Sequence, residues 1–175
     1  MMPIPRHLKG LVVPRDGRVD EGPLSADVRC PCGASAFELL YPGPTQEHDG
    51  EVGPCTLEMG GRFFFVIRAR CTTCRLEHLL LDADFHGWDG FICHDPVQAA
   101  LPRPPLVPWE CRACPGTAHT MVVHIQTEGR QDFIEQAGAD FDVARWPDAF
   151  GWFDLDVCCA RCGKFSPGLV SYETM

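Results

Sequence analysis

The stretch Arg62-Phe63-Phe64-Phe65-Val66-Ile67-Arg68-Ala69-Arg70-Cys71-Thr72-Thr73-Cys74 decides how this chain is read. Phe63, Phe65, Ile67 and Ala69 fall on one side, and Phe64, Val66, Arg68 and Arg70 on the other, the period of a β-strand. The strand runs directly into two cysteines on a tight turn. Such a knuckle points two sulfurs at one ion, while backbone amides stabilise the thiolates. Upstream lies a second close pair, Cys30-Pro31-Cys32. Together the two pairs supply the four thiolates of a closed tetrahedral zinc site.

The same arrangement recurs. Cys111 and Cys114 precede Cys159 and Cys162, with 44 residues between the pairs against 38 in the first half. Placing Cys71 on Cys159 puts Phe65 on Phe153, Ile67 on Leu155 and Ala69 on Val157, so the apolar face is preserved. The offset is 81–82 residues at the first knuckle and 88 at the second. This predicts two copies of one unit, a three-stranded antiparallel sheet clamped by metal, related by a pseudo-twofold. Each copy is small for a hydrophobic core to hold alone, and metal-binding free energy makes up that shortage.

The fold class expected is therefore mostly β and metal-stabilised: two tandem domains of short antiparallel strands. Residues 1–27 read as an N-terminal arm in which the run LKGLVV adds an edge strand. Residues 28–95 form the first domain. Residues 96–108 hold five prolines and read as a stiff, extended linker, and 109–175 form the second domain. Further strands are expected over Ala36–Tyr41, Glu77–Phe85, Thr120–Thr127, Trp152–Cys158 and Leu169–Tyr172. Cys55–Met59 and Arg62–Arg70 read as a glycine-turned hairpin, TQEHDGEVGP as a polar loop, HGWDG as a turn and Arg130–Ala137 as a short helix.

Eleven cysteines in 175 residues mean either disulfides or thiolates on metal. The N-terminus has no apolar signal-peptide core and no stretch approaches eighteen apolar residues. The expectation is a cytoplasmic chain outside the membrane, with metal in place of disulfides. The net charge is −9, and each half carries five basic against ten acidic residues. Eight thiolates and two divalent ions would take the charge to −13. Nucleic-acid binding needs a basic face, and the one candidate is the cluster Arg62, Arg68, Arg70 and Arg75.

The four knuckles resemble those of the zinc-ribbon, or rubredoxin-like, class. The resemblance covers Cys30, Cys32, Cys71, Cys74, Cys111, Cys114, Cys159, Cys162 and the strands beside them. The stretch RFFFVIRARC with DFHGWDGF is also similar to small uncharacterised bacterial zinc-ribbon proteins. The resemblance implies two Zn2+ ions; iron in the same geometry would make the chain an electron carrier. Zinc ribbons serve as nucleic-acid, protein-binding or purely structural modules, so the class implies metal and leaves the role open.

Two other features carry candidate chemistry. Residues 82–95 pack four carboxylates, two histidines and a thiol, where Asp84, His86, Cys93 and His94 would form a hydrolytic site. The plainer reading is a strand end and turn, which leaves no catalytic residue. Arg68, Arg70, His86, Trp88, Asp89, Trp146 and Trp152 are candidates for a binding surface, since aromatics dominate interface hot spots. Aromatics in acidic surroundings suit a basic protein partner, for an adaptor or an inhibitor of immunity type. Cys158 is expected in the core, with Cys55 and Cys93 as buried small hydrophobes.

Overall fold

The computed structural model describes residues 4–15, 23–48, 50–127, 129–137 and 140–174. In chain order the strands are β1 (Val12–Pro14), β2 (Leu24–Val28), β3 (Phe37–Tyr41), β4 (Thr45–His48), β5 (Glu51–Pro54), β6 (Leu57–Met59), β7 (Arg62–Phe64), β8 (Val66–Cys71), β9 (Glu77–Asp82), β10 (Val107–Pro108), β11 (Ala118–Gln126), β12 (Trp152–Cys159) and β13 (Phe165–Glu173). The α-helices are α1 (Gly87–Phe91), α2 (Pro96–Ala99) and α3 (Arg130–Ala137). The described chain is mostly β.

Nine strands share one sheet, with β4–β5 and β6–β7 as separate hairpins. Within the sheet β3–β8–β9 and β11–β12–β13 form two antiparallel three-stranded units. The residues aligned by the repeat occupy the same places. Phe37 lies opposite Cys71, and His119 opposite Cys159. Phe65, Ile67 and Ala69 are buried, as are Phe153, Leu155 and Val157. Burial of each large apolar side chain contributes about 1.5–3 kcal/mol.

The units join through their first strands, where Ala118 pairs with Glu38 and His119 with Phe37. Each unit also receives a short leading strand from the other. β2 lies on β11 with Ala26 opposite Val123, and β10 lies on β3 with Val107 opposite Tyr41. Counted from the first cysteine of each half, Ala26 and Val107 are equivalent positions. The arrangement is a reciprocal exchange about a pseudo-twofold, with residue 28 closing β2, residue 96 opening α2 and residue 109 following β10.

Several local expectations are corrected. The arm supplies both β1, an edge strand over part of LKGLVV, and β2, which is internal; residues 1–3 and 16–22 of it lie outside the described residues. The linker is more than an extended spacer, because it forms α2, buries part of Arg103 and adds β10. Phe63 is 64% exposed while Phe64, Phe65 and Val66 are all buried. The alternation breaks at Phe65, where the β6–β7 hairpin peels away from the sheet. TQEHDGEVGP is the β4–β5 hairpin. β9 stops at Asp82, whose carbonyl accepts the amides of Phe85 and His86. HGWDG contributes α1, which Gly87 permits: at φ +76° it lies where a Cβ would sit 2.3 Å from Thr174. Cys158 is half-buried and Cys93 exposed, so neither belongs to the core.

Candidate metal centres

Each four-cysteine group gathers where a unit's first strand meets its central one, and within each group all four sulfurs lie within 4.8 Å of one another. Cys30–Cys74 and Cys32–Cys71 are 3.5 and 3.6 Å apart, and Cys111–Cys162 and Cys114–Cys159 are 3.6 and 3.7 Å apart. The crosswise pairing is the same in both sites. A zinc tetrahedron with Zn–S near 2.3 Å has edges of about 3.8 Å. A disulfide needs about 2.05 Å, and all eleven cysteines are free. Both groups thus have the donor set and spacing for a metal ion held on four sides.

The knuckles close by backbone hydrogen bonds. Cys71 N–H donates to Leu76 O, Cys111 N–H to Gly116 O and Cys159 N–H to Lys164 O, each five residues on. The shortened Cys30-Pro31-Cys32 knuckle makes the same closure one residue earlier, to Ala34 O. Gly33 and Gly163 take positive φ after their second cysteines. Arg75 takes the same place after Cys74 at φ 64°, a conformation costly for a residue with a Cβ. Its guanidinium bonds Glu38 across the strand.

The thiols differ before any metal arrives. Burial pushes Cys71 up, but the amides of Cys74 and Thr73 outweigh it and bring the thiol down to about 6. Burial likewise opposes ionisation of Cys159, and the amides of Cys162 and Arg161 bring it to about 7. Burial and the neighbouring sulfurs push Cys30 to about 12. At Cys162 the Lys164 amide favours the thiolate, yet Cys114, Cys111 and Cys159 hold the thiol up at about 12. In each group the knuckle amides thus favour ionisation of one cysteine, Cys71 or Cys159.

Two histidines beside these centres escaped sequence reading. His78 places Nε2 3.3 Å from the Cys30 sulfur and packs edge-on against Phe37. Its only signal was its place four residues after Cys74, one strand step beyond the knuckle. His119 is 1% exposed, with neither ring nitrogen hydrogen-bonded. It lines a cavity with room for about one water, shared with Cys111 and Cys159. Burial lowers its pKa.

The remaining candidates do not converge. Arg70 and Arg75 share Glu38, and Arg62 bonds Gln98. Burial would raise the Glu38 carboxyl, but the two guanidiniums hold it below the usual carboxylate range. His86 turns inward and stacks on His7 at 3.7 Å. His94 Nδ1 lies against Asp84 O. Among the described residues no hydrogen bond joins Cys93 to His86 or His94. Asp84 instead pairs with Arg103, which also holds the buried Asp82. The Trp88 amide bonds Phe150 O and Thr174 Oγ1, Asp89 is exposed, Trp146 lies in the 3-10 turn Val143–Asp148, and Trp152 is held by Asp154 and Ser171.

These features define the class: a mostly β chain with two four-cysteine groups that can hold metal. No helix of the described residues is long and apolar enough to cross a membrane. No protein family, curated protein or solved structure matches the chain.

Proposed function

We propose that this chain is a tandem zinc-ribbon protein and acts as a non-enzymatic binding module for a basic protein, as an adaptor or an inhibitor of immunity type. The observation that carries the reading is the closure of both metal groups. Each offers four sulfurs to one ion, a set that leaves zinc no position for water or substrate, which is the mark of a structural site. What remains for function is the surface, and its charge is strongly negative. Three of the four arginines that would have served nucleic acid are engaged: Arg70 and Arg75 by Glu38, and Arg62 by Gln98. The residues 82–95 show no nucleophile–base contact among the described residues.

The test has two parts. Elemental analysis of the purified chain should give two zinc ions per molecule; fewer than one, or iron in their place, overturns the zinc reading. Recovery of the tagged chain from its host after nuclease treatment should bring one basic protein in stoichiometric amount. Partners that vanish on nuclease treatment would replace the protein reading with nucleic acid.

A further inference from the structure

We propose that the cleft along the free edge of β13 is the docking site for an extended, basic peptide segment of the partner. This rests on the reading of the chain as a binder of a basic protein. The cleft has a volume of about 890 Å3, within the range of ligand sites. Among the described residues β13 pairs only with β12, so its other edge is unpartnered, and Ser166–Leu169 and Ser171–Glu173 line the cleft. Open strand edges offer backbone donors and acceptors to a further strand.

The two units differ at this place. Both carry a register shift between the central and outer strands, at Ile67 and Arg68 of β8 in the first and between Leu155 and Val157 of β12 in the second. In the first unit the shift skips Leu80 alone, and the N-terminal turn seals it. His7 Nε2 donates to Leu80 O, and Leu8 is fully buried beside it. In the second unit the shift skips Pro167, Gly168 and Leu169 on β13 and Asp156 on β12; the Asp156 carboxylate accepts the Gly168 amide, and among the described residues no N-terminal turn covers it. The β4–β5 hairpin stands over it instead, touching β13 closely at Gly53, where a Cβ would lie 2.2 Å from Leu169 O. Beyond that point no backbone hydrogen bond joins this edge among the described residues until Thr174, whose carbonyl accepts the Asp89 amide.

The lining states the occupant's chemistry. Phe65 and Tyr172, stacked at 4.5 Å, and Leu169 give an apolar floor. Trp152 stands at the side with its indole N–H fixed by Asp154 and Ser171. Glu173 brings negative charge, while Glu51 is paired with Lys164 at 3.3 Å, and no Arg or Lys is among the residues lining the cleft. An extended segment alternating apolar and cationic side chains meets each of these: strand pairing on β13, an apolar side chain over Phe65 and Tyr172, and a cation against Trp152 and Glu173.

The experiment uses the zinc-loaded full chain, isotopically labelled. The probe is a capped hexapeptide alternating arginine and valine. Its glutamate–valine counterpart and a backbone N-methylated copy serve as controls. The expected result is amide shifts confined to residues 52–56 and 166–173 and to the Trp152 indole, with no response to either control. Glu173→Gln should weaken binding about fivefold and Trp152→Ala about tenfold. The proposal is overturned if these amides do not move, if the N-methylated peptide binds equally, or if neither substitution matters. Binding of the basic peptide elsewhere would sink the cleft and leave the proposed function standing. Binding in the cleft with no protein partner recovered from the host would do the reverse.

Discussion

Phe37 lies directly opposite His119 in the antiparallel ladder, and the two are the same position in their own units. A pseudo-twofold axis therefore passes between them, and each unit's leading strand is completed by the other's sheet. Neither half can bury its first strand alone. Replacing the solvent-facing ligand Cys162 by Ser should then destabilise the whole chain. The expected outcome is one unfolding transition by calorimetry, with the midpoint lowered by on the order of 10 °C and far-ultraviolet signal from both halves lost together. Two separate transitions, the upper unchanged, would show the halves to be independent.

The imidazole of His78 at Cys30 gives the first centre a partner that, among the described residues, has no counterpart in bonding contact at the second. Outer-sphere partners of this kind typically alter metal affinity 10–100-fold. His78→Phe should therefore weaken zinc at one site by roughly tenfold. A chelator competition with the variant should show one ion released early and one at the wild-type concentration. Equal release of both would remove His78 from the metal's surroundings.

How much of this was legible follows from which forces are local. The eight cysteines of the two groups were readable because a knuckle is a contiguous motif with its own turn chemistry, and the β8–β12 equivalence because alternation with period two survives in Phe65, Ile67 and Ala69. The exchange of β2 and β10 was not, because Val107-Pro108 and Leu24–Val28 carry no pattern that names a partner strand. The cleft was invisible because a register shift between two strands leaves no signal in the alternation of either. Arg103 read as one charge among prolines, and only the fold brings it to Asp82.

That contact makes a third expectation. Arg103 bonds Asp82 and Asp84 and lies over Phe85 and Phe64. Burial raises the Asp82 carboxyl and the guanidinium opposes it. Arg103→Ala strands a buried acid and should cost about 3–5 kcal/mol in urea unfolding. Arg103→Lys should recover only part, since an ammonium does not span two carboxylates as a guanidinium does. A loss below about 1 kcal/mol would show that the linker is held elsewhere.

The His7–His86 stack sets the last expectation, a loss of stability in mild acid. Burial brings His7 down to about 4, against the raising effects of Leu80 O and Asp148. Burial, then the neighbouring His7, brings His86 to about 3. Both rings are neutral in the fold: His7 donates to Leu80 O, and His86 Nδ1 accepts from the Asp82 amide. In the unfolded chain each binds a proton below pH ~6.5. The unfolded state thus holds more protons between pH ~6.5 and ~4, and stability must rise with pH across that window. It is fully present above ~6.5 and falls as the pH drops, by about 3 kcal/mol at pH ~4 from His7 alone. Protonation of cysteines that hold a metal would act in the same direction, so the variant His7→Phe isolates the histidine contribution. It should lose about 1 kcal/mol at neutral pH for the missing hydrogen bond and show a shallower decline below pH ~6.5 than the wild type. Parallel curves for the two proteins, measured by denaturant midpoint at each pH, would exclude the stack as a source of acid sensitivity.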